Sequence, residues 1–235
     1  MKPNILFALV LTCLYELGHC QGSTKDFYSL KSRLIESYDH KDTISRKEVK
    51  FNKYRGKVVL IVNVASECPL SHMHYQELVK TYNTFNNLST NCCDATGWLP
   101  KETPILTEPE DSYFTTFGFP CDQFGDHLES AVEEMIDIYT RYRYGVLFPM
   151  FEKVKCVGKD AHPVWKFITK EAKMEPDWNF YKYLIDHTGK VVHAYTSLTP
   201  VETILDTITK YVNVAKQFAM ESKLKEKKTE AHGEL

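Results

Sequence analysis

The sequence has no strong charge of either sign, no hydrophobic run of bilayer-spanning length and no cysteine spacing of the metal-binding kind. Each absence removes a class of protein. A formal net charge of -2 leaves no electropositive footprint of the sort that nucleic acids require, which argues against nucleic acid as a partner. The most apolar stretch, residues 5–15, is far short of the roughly 20 residues needed to cross a hydrocarbon core about 30 Å thick, so no stable membrane span is expected. Lys2 precedes that stretch and Gly18-His19-Cys20 follows it, with small residues three and one before a cut after Cys20. Residues 1–20 therefore read as a cleaved secretory signal. Among the seven cysteines, Cys92 and Cys93 are adjacent and lack zinc-type spacing. His72 and His74 follow Cys68 closely, but two positions apart on a helix they point to different faces. No metal site is expected.

What remains is the composition of a globular chain. At 43% hydrophobic and 26% charged, the sequence can bury the core of a single domain. Loss of Cys13 and Cys20 with the signal leaves Cys68, Cys92, Cys93, Cys121 and Cys156, an odd set that cannot pair completely within the chain. Cys68 is the outstanding candidate for chemistry. The β-branched run Val58, Val59, Leu60, Ile61, Val62 and Val64 reads as a strand covered on both faces, and a helix is expected from Pro69 onward. A thiol at that seam lies near unpaired N–H groups and the positive end of a helix dipole, which favour thiolate. Because the strand has ended, Cys68 is expected on an exposed loop end rather than in the core.

The rest of the chain supplies the frame. Phe27, Tyr28 and Leu30 can anchor a short strand in an otherwise polar stretch, and Tyr75, Leu78, Val79 and Tyr82 give the helix after Cys68 an apolar face. Residues 86–113 lose periodicity and read as a long loop insertion carrying the N-glycosylation acceptor Asn87-Leu88-Ser89. A second strand, from Phe114, ends just before Cys121. A helix over 129–142, a strand from Phe148, a short helix over 162–170, a hairpin turning at Asp186 to Gly189, and a last helix after Pro200 follow, the last with the stripe Ile204, Ile208, Val212 and Val214. This order is thioredoxin-like: an α/β fold with a central mixed sheet flanked by helices. A strand-helix-strand unit puts Cys68 and Cys121 past the same ends of two strands. Neighbouring strands lie about 4.8 Å apart and next-nearest ones about 10 Å, whereas a disulfide needs Cα atoms within about 7 Å. The expected organisation is a signal (1–20), one domain (26–217), and a tail (218–235) with a charged, disordered run over 221–230. The tail closes on His232-Gly233-Glu234-Leu235, a variant of the HDEL/KDEL retention signal with glycine in place of aspartate.

Five separated motifs, Asn63-Val-Ala-Ser66-Glu-Cys68, Phe119-Pro-Cys121-Asp-Gln-Phe-Gly125, Phe148-Pro-Met-Phe151, His162-Pro163 and Trp178-Asn-Phe180, stand in the order and approximate spacing of the glutathione peroxidase family. The resemblance covers residues 26–214 and is strongest to the cysteine-containing endoplasmic-reticulum branch, glutathione peroxidases 7 and 8. It implies that Cys68 is the peroxidatic residue and that Trp178 and Asn179 match two more members of the catalytic tetrad. Both can donate to a thiolate without competing for a proton. His127 stands where the tetrad glutamine would be, and an imidazole titrating near about pH 6.5 would add a pH dependence. Pro69 and Ser71 replace the glycine and threonine that usually follow the reactive residue, and Thr140 occupies the place where many cysteine-type relatives keep a resolving cysteine. Two routes to resolution stay open: Cys121 resolves Cys68, or Cys121 is a packing residue and an external thiol does so. The short region between His162 and Trp178 lacks the insertion linked to tetramers, which implies a monomer. The family reading implies a peroxidase for hydrogen peroxide or organic hydroperoxides, with glutathione or a protein disulfide isomerase-type dithiol as reductant and no cofactor. It would act in the endoplasmic-reticulum lumen, with partial secretion. The alternative is a redox-relay or interaction module of the secretory pathway with weak peroxidase activity.

Overall fold

A strand that is apolar on both faces can only sit inside a sheet with both sides covered, and the run after Lys57 does so. In the computed structural model, which describes residues 26–38, 44–88, 111–125 and 133–233, β3 (Val58–Val64) is buried at every position. On one side it pairs in parallel with β4 (Phe114–Pro120), Val58 opposite Phe114 and Val64 opposite Pro120. On the other it pairs antiparallel with β5 (Lys182–Ile185), which pairs in turn with β6 (Val191–Tyr195). The four-stranded order is β4-β3-β5-β6. The segment around Phe148 forms isolated bridges instead of the expected strand: Met150 lies alongside Gly118 of β4, and Phe151 reaches Leu34.

Residues 26–50, which read as mostly polar, form a second, two-stranded sheet from β1 (Lys31–Tyr38) and β2 (Ile44–Lys50). Phe27 and Tyr28 anchor it from a short 3₁₀ turn rather than a strand. The Tyr28 hydroxyl donates to the carbonyls of Lys57 and Asp186, tying this region to the β5–β6 turn.

Alternation along β3 divides the core in two. Val59 and Ile61 face a layer containing Phe117, Phe119 and Phe151, the hairpin residues Leu34 and Val49, and Val164, Trp165 and Ile168 of α3 (Pro163–Ala172). Val58, Leu60, Val62 and Val64 face Tyr75, Leu78 and Tyr82 of α1 (Ser71–Phe85), Ile136 of α2 (Glu133–Tyr144), and Ile208, Val212 and Ala215 of α4 (Leu205–Gly233). The fold is the expected α/β arrangement, a mixed central sheet flanked by helices.

Two details of α4 depart from the sequence reading. Its buried stripe ends on Ala215, while Val214 is 45% exposed, because 212 and 215 share a helical face and 214 lies about a third of a turn away from it. The charged run over 221–230 is helical rather than disordered. Lysine, glutamate and alanine are good helix formers, and pairs such as Gln217 and Glu221, joined at 3.0 Å, support a helix that buries little.

Candidate functional site

The C-terminal ends of β3 and β4 bring the motif residues together. Past Val64 the chain turns through Ser66 and Glu67 to Cys68, then enters α1 at Ser71, two residues later than the sequence suggested. The turn is fastened by the Ser71 hydroxyl donating to the Ala65 carbonyl at 2.6 Å and the Ser71 N–H donating to the Cys68 carbonyl at 2.9 Å. Cys68 is a free thiol, only 4% exposed and packed on the α1 side of the sheet, so the expectation of an exposed loop end is not met. The neighbouring Glu67 and Pro69 are the exposed residues of the turn.

Trp178-Asn179-Phe180 is pinned across the end of β3 by Asn63. Phe180 N–H donates to the Asn63 carbonyl at 2.7 Å, the Asn63 amide donates to the Trp178 carbonyl at 2.9 Å, and Tyr181 N–H donates to Asn63 Oδ1 at 2.8 Å. These three bonds use both the backbone and the side chain of a fully buried asparagine. They also support Phe180 at φ +67°, a left-handed conformation costly for an aromatic residue. Trp178 is 37% exposed, whereas Asn179 is fully buried and donates from Nδ2 to the Phe124 carbonyl at 3.1 Å. Asn179 Oδ1 is buried without a partner among the described residues. Asn179 thus bridges the Trp178 loop and the bend that follows Cys121. Sequence reasoning missed Asn63. Its signal was a lone polar residue inside an apolar strand, where only a fully bonded amide is tolerated.

Behind this loop is a buried polar group, also missed. His74 of α1 stacks on Phe180 with centroids 4.9 Å apart, and its Nε2 donates to the Ser197 carbonyl at 2.8 Å. Burial, reinforced by the Lys182 charge, pushes the imidazole down to about 4. Lys182, fully buried in β5, donates from Nζ to the Phe180 carbonyl at 2.8 Å and the Thr196 carbonyl at 3.3 Å, and burial lowers it to about 7 against the opposing pull of Glu77. His72 is exposed, on a different side of α1 from His74, as the spacing implied.

Cys121 begins where β4 ends: its N–H donates to the Val64 carbonyl at 3.1 Å, so β3 and β4 are immediate neighbours at the site. Its side chain, however, belongs to the α3-side core, opposite the layer that holds Cys68. Thr140 is buried in α2, its hydroxyl donating to the Ile136 carbonyl at 2.9 Å. His127, Cys92, Cys93, the signal segment, Ser89 of the glycosylation acceptor and the last two residues lie outside the described residues. Among the described residues no group of three His, Cys, Asp or Glu could hold a metal ion, and no helix is long and apolar enough to cross a membrane.

Comparison with known proteins shows the family. The family model for glutathione peroxidase matches residues 35–92 and 84–169. Glutathione peroxidase 7 of Mus musculus is 35% identical over 193 residues, 82% of this chain and 86% of the mouse protein. Probable glutathione peroxidase 8-A of Xenopus laevis is 32% identical over 220 residues, 94% of this chain and 88% of its own length. Among solved structures, the apo form of Trgpx is 29% identical with a TM-score of 0.53, covering 81% of this chain and 97% of its own.

Proposed function

Because the chain belongs to the glutathione peroxidase family, we propose that it is a thiol-dependent peroxidase in which Cys68 reduces hydrogen peroxide or organic hydroperoxides. The observation that carries the residue assignment is the convergence of the Cys68 turn and the Asn63-pinned Trp178-Asn179-Phe180 loop on one end of β3. The Cys68 thiolate attacks one peroxide oxygen, the O–O bond breaks, and the departing alkoxide or hydroxide takes a proton to leave as alcohol or water. Cys68 is left as a sulfenic acid. Trp178 and Asn179 are the donors for the anionic sulfur and the departing oxygen. Asn179 commits one amide hydrogen to Phe124 and keeps a second for the site. His127 stands in the remaining tetrad place as a donor whose contribution titrates.

Glutathione or a protein disulfide isomerase-type dithiol returns the oxidised enzyme to the thiol state, with no metal or organic cofactor in the cycle. The relatives, the N-terminal signal and the HGEL ending favour the lumen of the endoplasmic reticulum, and the missing aspartate in that ending favours partial secretion. A monomer is the proposed state.

The deciding experiment is stopped-flow tryptophan fluorescence of the purified protein mixed with hydrogen peroxide. Wild type reacts far faster than a free thiol, and Cys68→Ser abolishes turnover. Full activity in Cys68→Ser, or a wild-type rate no better than a free thiol, overturns the reading.

A further inference from the structure

Peroxide chemistry at Cys68 makes no use of Cys156, yet the structure places Cys156 against Cys121. After the bridges at Met150 and Phe151 the chain continues parallel to β4 towards its end, with Val154 N–H donating to the Pro120 carbonyl at 3.0 Å, and this brings residue 156 beside residue 121. The side chain of Gln123 fixes the approach. Its Oε1 accepts from the Cys156 N–H at 2.5 Å, the Val157 N–H at 3.0 Å and the Cys121 thiol at 3.6 Å, and its Nε2 donates to the Val157 carbonyl at 3.1 Å. Both cysteines are free and 1% exposed, and Gln123 Oε1 joins the Cys121 thiol to the Cys156 backbone.

The two thiols are unlike. The neighbouring Cys156 thiol, with backbone N–H groups, lowers Cys121, while burial and the neighbouring Cys121 thiol raise Cys156 well above the usual thiol range. Cys121 is the better nucleophile of the two, and Cys156 holds its proton. A cleft of about 430 Å³ opens at Cys156 on the α3 side, with Lys166, Lys170, Lys173 and Glu175 in its lining. An excess of lysines at its mouth favours the thiolate form of an incoming thiol.

We propose that Cys121 and Cys156 are a second redox centre, in which Cys156 takes over the disulfide formed between Cys68 and Cys121 and presents it to an external thiol through this cleft. The inference rests on the peroxidase reading of Cys68. In the first step the Cys121 thiolate attacks the Cys68 sulfenic sulfur; the S–O bond breaks, and hydroxide leaves as water with the proton that Cys156 gives up. Cys156, now a thiolate, attacks Cys121 Sγ; the Cys121–Cys156 disulfide forms and Cys68 departs as a thiolate, ready for the next peroxide. Two external thiols then reduce the pair and leave as their own disulfide. The second exchange joins two residues that Gln123 already holds side by side. The first joins sulfurs on opposite faces of adjacent strand ends, so the Cys68 turn or the bend at 121–125 rearranges in that step.

The test is peptide mapping under non-reducing conditions after one equivalent of hydrogen peroxide. Lys80, Lys101 and Lys155 let trypsin separate Cys68, the Cys92-Cys93 pair, Cys121 and Cys156 onto different peptides. Wild type yields the Cys121–Cys156 disulfide with Cys68 reduced. Cys156→Val, similar in volume, traps the Cys68–Cys121 disulfide and loses turnover with added glutathione. Wild type that consumes peroxide but retains Cys68 as a sulfenic acid or glutathione adduct, with Cys121 and Cys156 reduced, overturns the relay and leaves the peroxidase reading standing. Oxidised Cys68 joined to Cys92 or Cys93 does the same. No consumption of peroxide overturns both, and the wild-type map decides even if Cys156→Val fails to fold.

Discussion

At the scale of single residues, the buried pair His74 and Lys182 governs how the fold answers to pH. Both are bases whose protonated form is disfavoured by burial, His74 lowered to about 4 and Lys182 to about 7. In the unfolded chain they titrate near about 6.5 and 10.4. Between about pH 4 and 6.5 unfolded His74 binds more proton than folded His74, and between about pH 7 and 10.4 the same holds for Lys182. Stability therefore rises with pH across each window, and the cost of both buried charges is complete only in acid. Urea unfolding from pH 4 to 7 should show this rise in wild type and a flatter profile in His74→Gln, whose amide can still donate to the Ser197 carbonyl. An unchanged slope would assign the acid sensitivity elsewhere. Asn63 is the other decisive residue. Asn63→Ala leaves the Trp178 carbonyl and the Tyr181 N–H unpaired, at about 1–3 kcal/mol for each buried group. Because that residue holds the Trp178-Asn179 loop, peroxide turnover at a temperature where the variant remains folded should fall well below wild type. Wild-type kinetics in a measurably destabilised Asn63→Ala would make its role purely structural.

Among elements, the β5–β6 hairpin is the most tightly specified. Asp186 closes it: its carboxylate accepts from the Thr188 N–H, the Thr188 hydroxyl and the Lys190 N–H, while its carbonyl accepts from Gly189 N–H. Gly189 has φ +94°, and a Cβ there would stand 2.7 Å from the Tyr28 ring. Gly189→Ala thus combines a left-handed strain with a collision against a buried ring whose hydroxyl is bonded on both sides. A loss of at least about 1–3 kcal/mol is expected in chemical denaturation, and an alanine variant as stable as wild type would mean that the 3₁₀ turn at Phe27 yields easily. The helix α1 shows the opposite relation between sequence and structure. Its apolar face was legible, but its first turn has no side-chain cap, since Leu70 occupies the N-cap position. The bonds from Ser71 to Ala65 and Cys68 fasten the entry instead, so helix start and reactive turn form one unit.

For the molecule as a whole, the proposed location rests on the ends and the proposed reactivity on the two faces of the sheet. The first two residues of the HGEL ending are the last two of α4, a helix that past Ala215 exposes even its large apolar side chains, Phe218, Met220 and Leu224. Deleting the last four residues should increase the secreted fraction in an expressing cell, measured by immunoblot of medium against lysate, and equal fractions would remove the tail from the retention reading. Within the domain, β3 is the divide: Cys68 is packed in the layer of α1 and α4, and Cys121 with Cys156 in the layer of α3 and the β1–β2 hairpin. In the relay proposed above, oxidising equivalents generated in one layer and discharged from the other would pass around the ends of β3 and β4.

The sequence by itself determined the central strand, because six apolar residues among the seven from Val58 to Val64 admit few other fates, and it determined the hairpin turn and the final helix through turn chemistry and the stripe Ile204, Ile208 and Val212. Motif order named Cys68, Trp178 and Asn179 as the candidates for chemistry. It did not reveal the β1–β2 sheet, whose alternation is diluted by charged residues on the exposed face, nor the burial of Cys68, which depends on helices contributed from elsewhere in the chain. Asn63 and Lys182 looked like ordinary polar interruptions, and only the tertiary structure supplies the carbonyls and N–H groups that make their burial tolerable. The same holds for Cys121 and Cys156. Their proximity depends on how the chain after Phe151 continues along β4 and on the Gln123 amide that holds it there, and no local pattern in the sequence encodes that approach.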